Sequence, residues 1–118
     1  MPETISWNLQ LTVQTGQLEQ ARSLMTEMVE ATAKESGVIC YEWFLSDDGA
    51  ACHTVERYRD SAAALEHLGN FGAHFAERFM TCFAPTAFWV YGEPSAEVRG
   101  VLDGFGAVYL GSLGGFRR

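Results

Sequence analysis

A membrane-crossing run, a basic stretch and a cysteine framework are all missing from this chain, and each absence narrows what it can do. No apolar run approaches the roughly 20 residues that a spanning helix needs. Met1 to Ser6 has neither the basic nor the apolar region of a secretory leader, so the expectation is a cytoplasmic protein without a membrane partner. Eight Lys and Arg stand against fifteen Asp and Glu, a formal charge of −7, and the only adjacent basic pair at an end is Arg117 and Arg118. Nothing there tracks a phosphate backbone, which argues against nucleic acid. Cys40, Cys52 and Cys82 are odd in number and fit neither a CxxC pair nor a disulfide framework, so they read as small reduced core residues. His53, His67 and His74 lack HxH or HxxxH spacing, which argues against a metal centre. With no nucleotide loop or flavin fingerprint either, no cofactor is expected.

What the chain does have is apolar material, 47% of its residues, with 13% aromatic, enough for one core in a single domain over residues 1–118. Ile5, Trp7, Leu9, Leu11 and Val13 alternate with polar residues and read as a first strand. Leu18, Ala21, Met25, Met28 and Thr32 then recur at helical spacing, about five turns, until Gly37 offers a left-handed stop. Ile39–Ser46 and Ala51–Arg59, joined through Asp47 to Ala50, read as a hairpin, with Ile39, Tyr41, Trp43 and Leu45 on one face. Asp60 or Ser61 caps a second helix, which Gly69, Asn70 and Gly72 interrupt before Phe75, Phe79 and Cys82 resume its stripe. Pro85 closes it, residues 86–92 form a fourth strand, and Pro94 and Ser95 start a short helix ahead of a Gly-rich but apolar tail.

That order predicts an α+β, ferredoxin-like βαββαβ core over about residues 5–92, with an antiparallel sheet and an extra C-terminal helix and tail over 95–118. Helices can cover only one face of such a sheet. The apolar residues of the other face predict a homodimer built sheet to sheet.

Gly37 followed by Tyr41 and Glu42, then Glu56, Arg57 and Tyr58, Asp60 and Ser61, His67 and Leu68, and Phe71 to Phe75, resembles the antibiotic biosynthesis monooxygenase family, and the subset described as quinol monooxygenases. The resemblance implies a dimeric α+β barrel with a pocket between sheet and helices. It also implies oxidation of a quinol or polycyclic phenol by molecular oxygen without a cofactor, so the expected partners are a small aromatic molecule and dioxygen. Such a reaction asks of the protein an apolar pocket, a base and hydrogen-bond donors. Aligned to members that oxidise aromatic polyketides, the pocket Asn, Trp and Tyr fall on Thr54, Tyr58 and Ala64, and only Tyr58 keeps a comparable side chain.

The polar groups must then come from elsewhere, and His74 and His67 are the candidate bases, because an imidazole titrates near neutral pH. Trp43, Tyr58, Asn70, Phe71 and Phe75 are the residues expected to frame the substrate. The plainer alternative makes the histidines packed helix residues and the phenylalanines core. Glu42 and Glu56 read as ion-pair or dimer-contact residues beside Arg57 and Arg59. Two other functions stay open: a non-catalytic dimer that binds an aromatic ligand, and a haem-degrading protein. For haem, Asn8 is one place out of register and His67 stands where a Trp is expected.

Overall fold

The alternation that begins at Ile5 lays down the central strand of the sheet. β1 (Ile5–Val13) turns Ile5, Trp7 and Leu11 into the core and Ser6, Asn8 and Gln10 to the opposite face. The computed structural model describes residues 3–118; Met1 and Pro2, part of the stretch read for a leader, lie outside the described residues. α1 (Leu18–Thr32) buries Ala21, Leu24, Met28 and Thr32 at spacings of three and four. It has 15 residues, about four turns rather than five, and ends before Gly37. Gly37 is not left-handed, and its requirement for glycine is steric: a Cβ there would overlap the Cβ of Ala63 on the next helix.

β2 (Val38–Leu45) and β3 (Ala51–Tyr58) form the expected hairpin, with an irregularity between Val38 and Cys40. The extra residue there breaks the alternation and leaves Ile39 57% exposed, off the face it was expected to share with Tyr41 and Trp43. Asp60 caps α2 (Ser61–His74), its carboxylate accepting from the Ala63 amide at 2.9 Å. This helix runs unbroken through Gly69, Asn70 and Gly72. The interruption falls at Phe75, where φ is −128°, ahead of α3 (Ala76–Cys82). Helix-interior glycine costs about 1 kcal/mol relative to alanine, too little to break a helix whose Leu65 and Leu68 pack on the core.

β4 (Phe83–Tyr91) starts earlier than expected and holds Pro85 where its register against β1 shifts, a place where a missing N–H is tolerated. α4 (Ala96–Leu102), capped by the Ser95 hydroxyl on the Val98 amide, is followed by a 3-10 turn (Asp103–Phe105). The tail then does more than the composition suggested, since β5 (Val108–Leu110) pairs parallel with β4.

The sheet order is β2-β3-β1-β4-β5, antiparallel except for the last pair, and its first four strands are the ferredoxin-like core. One core cluster gathers Ile5, Trp7, Tyr58, Phe88, Val90 and Leu102. Another gathers Leu11, Leu24, Met28, Phe79 and Phe83. The opposite sheet face leaves Phe44, Val55, Trp89, Tyr91 and Val108 exposed. No helix among the described residues is long and apolar enough to cross a membrane.

The glycines separate two physical roles. Gly37→Ala is expected to destabilise the fold by about 1–3 kcal/mol through overpacking. Gly69→Ala, with nothing within 4 Å of the added methyl, should instead stabilise by about 0.5–1 kcal/mol. Urea denaturation midpoints of the two variants check this, and midpoints shifted in the same direction would refute the distinction.

Candidate functional site

Between the two core clusters the side chains do not close up, and a cavity remains against the inner face of the sheet. Trp7 and Leu9 of β1, Tyr41 and Trp43 of β2, and Thr54 and Glu56 of β3 form its floor. His67, Leu68 and Phe71 of α2, Phe79 of α3 and the Leu102–Phe105 end of α4 form its roof. The cavity proper holds about 50 Å³, and about 520 Å³ when the space at its mouth is counted. An aromatic guest must therefore push part of the lining aside.

Period two on β3 brings Cys52, Thr54, Glu56 and Tyr58 to the inner face, so a carboxylate enters the core beside a phenol. Glu56 is 5% exposed. One of its oxygens accepts from the Thr54 hydroxyl at 2.7 Å and the other from the Tyr58 hydroxyl in a short hydrogen bond. The second oxygen also lies 3.5 Å from Nε2 of His67. Nδ1 of the same ring is 3.1 Å from Glu35, which follows α1, and Asn70 donates to the other Glu35 oxygen at 3.3 Å. All three ionisable side chains of this row are less than a tenth exposed. The His67 ring is further held against Tyr58 and Tyr41, at centroid distances of 5.1 and 5.4 Å.

A carboxylate so buried is tolerable only when donors surround it. Glu56 accepts from two donors, Thr54 and Tyr58, and the Tyr58 hydroxyl must keep its proton to be one. Burial first, and the Glu56 charge second, push Tyr58 well above the usual tyrosine range and raise Tyr41 as well. Nδ1 of His67 is engaged by Glu35, whereas Nε2 lies 3.5 Å from Glu56 without a hydrogen bond to it.

Of the expected site residues, Trp43, His67 and Phe71 come together in the lining. Tyr58 stands behind Glu56, and Asn70 is exposed and reaches Glu35. Phe75 packs beside the Phe79 cluster. His74 is exposed, next to Phe75, and is not part of the lining. Glu56 turns away from Arg57 and Arg59, correcting the ion-pair expectation, because its strand parity sends it inward. Sequence reasoning missed Glu35 and Glu56 as site residues. The usable signal for Glu56 was its sharing of a strand face with Tyr58; for Glu35, in a loop, there was none.

In pH terms, a tyrosine whose folded pKa lies above the unfolded value near 10 keeps its proton longer in the native state. Stability from Tyr58 and Tyr41 is therefore complete below about pH 10 and is lost as pH rises beyond it. Alkaline titration should show their tyrosinate absorbance emerging together with loss of the far-ultraviolet circular dichroism. Ionisation of both tyrosines near pH 10 in an intact fold would contradict it.

The sequence model for antibiotic biosynthesis monooxygenases matches residues 4–78. No curated protein matches the chain significantly. Among solved structures, MupZ from Pseudomonas fluorescens superposes with a TM-score of 0.88 at 23% identity, covering 100% of this chain and 91% of that one. SnoaB, a cofactor-independent oxygenase from Streptomyces nogalater, gives 0.66 at 13% identity, over 80% of this chain and 96% of that one. Rv0793 from Mycobacterium tuberculosis gives 0.59 at 25% identity, over 78% and 96%. The likeness to MupZ and SnoaB is one of fold.

Proposed function

The chain belongs to the antibiotic biosynthesis monooxygenase family, and from that premise we propose that it oxidises a quinol or polycyclic phenol with molecular oxygen and no cofactor. The observation that carries this reading is the His67 ring, held between two buried carboxylates in the wall of an aromatic-lined cavity. Glu35 orients the imidazole through Nδ1, and the His67–Glu56 pair takes the proton of the ligand's hydroxyl. The resulting aryloxide passes one electron to dioxygen, and the two radicals join at a ring carbon as a peroxide. Loss of water leaves a carbonyl: one oxygen atom stays in the product, and the other departs with the two hydrogens the substrate gives up. Trp43, Phe71 and Phe79 wall the ring, whereas Tyr58 and Asn70 act through Glu56 and Glu35. The printed description of SnoaB as a cofactor-independent oxygenase adds support from the same fold.

The expected result is oxygen uptake by metal-stripped protein given hydroquinones or anthrones, falling about 10²–10⁴-fold in His67→Gln and little changed in His74→Ala. Uptake that survives in His67→Gln would remove the base from this scheme. Absence of uptake with every such substrate, alongside tight binding of one of them, would favour a ligand-binding protein.

A second copy of the chain is the proposed cover for the outer sheet face, where Val55 and Trp89 stand exposed near the centre. Light scattering should then give a dimer for the native protein and a monomer for Val55→Glu. A monomeric native protein at micromolar concentration would reject the assignment.

A further inference from the structure

Trp43 belongs to two voids at once. Its ring lines the cavity beside His67, and it also lines a separate, mostly apolar cleft of about 190 Å³, shared with Arg22, between α1 and the turn end of the hairpin. Leu18, Ala21 and Met25 of α1 wall that cleft on one side, with Leu45 and Phe83 opposite. Of the buried side-chain nitrogen and oxygen atoms among the described residues, the Trp43 indole nitrogen is the one without a hydrogen bond of good geometry, although the Tyr41 hydroxyl lies beside it. A buried N–H without a well-formed hydrogen bond is costly, so an acceptor supplied by a ligand would be favoured there. Tyr41 lies 5.4 Å from His67 and 6.2 Å from Trp43, so the base and the indole donor flank one aromatic ring. Beyond Trp43, Phe83 at 5.6 Å opens on the second cleft.

We propose that the cavity and the α1 cleft form one bipartite site for a phenol or hydroquinone carrying an acyl chain. The ring hydroxyl lies at His67, the ketone oxygen accepts from the Trp43 indole N–H, and the apolar chain runs past Trp43 between α1 and the hairpin. This assignment rests on the phenol reading given above and narrows it to a substrate class. Trp43 selects by the carbonyl, and the cleft selects by chain length.

The test is calorimetric binding of 4-hydroxyphenyl alkyl ketones of increasing chain length, beside 4-alkylphenols without the carbonyl, and it needs no turnover. Affinity should rise about three- to fourfold per methylene, from 0.8 kcal/mol per buried CH₂, until the cleft is full. Leu18→Trp and, independently, Met25→Phe should abolish that rise. Trp43→Phe should lose about three- to tenfold more for the ketones than for alkylphenols of equal chain length. Affinity independent of chain length overturns the bipartite site, and equal losses for ketones and alkylphenols overturn the donor role of Trp43. Either result combined with oxygen uptake from simple hydroquinones would leave the general reaction standing. No binding of any phenol would overturn this inference and the general reading together.

Discussion

The row Glu35–His67–Glu56 is the constraint on which the interior depends. Burying an ionisable side chain costs several kcal/mol in lost hydration, and that cost is offset only while its hydrogen-bond partners stay in place. Thr54 and Tyr58 fill the two Glu56 oxygens from the same strand, so this half of the row is held by the pleat itself. The other half requires α2 to lie at one depth over the sheet, or His67 loses both carboxylates. Gly37 permits that depth, since any side chain there would push Ala63 and the helix outward. A backbone position with no chemistry of its own thus sets the geometry of the ionisable groups, and two core clusters that meet imperfectly leave the void these groups face.

Much of the fold was legible in the sequence, because apolar periodicity in β1, the Asp60 cap and the Asp47–Ala50 turn each have a local cause. The errors share a different origin. The bulge at Ile39, the persistence of α2 through two glycines and the pairing of β5 with β4 are decided by tertiary contacts, which residue spacing does not contain. The same division runs through the site. His67, Trp43 and Phe71 stood out by residue type, and the helix stripe carried them to the cavity. Glu56 was hidden by its arginine neighbours, whose sequence proximity meant nothing once strand parity sent them to the other face. Glu35 comes from a connection 32 positions away from the ring it holds, a distance over which no local pattern speaks. His74 drew weight from nearby phenylalanines that pack on the core without it.

The stretch matched to the family ends at residue 78, yet Phe79, Pro85, Phe88, Leu102 and Phe105 all line the cavity. Glu35, Thr54, Glu56, Tyr58 and His67 all precede that limit. The ionisable row thus lies wholly in the earlier stretch, and the later part of the lining is anchored through the Ser95 cap, its bond to Ser61 and the stacking of Arg99 on Tyr109. Substitutions beyond residue 78 would therefore reshape the lining while leaving the residues of the ionisable row in place.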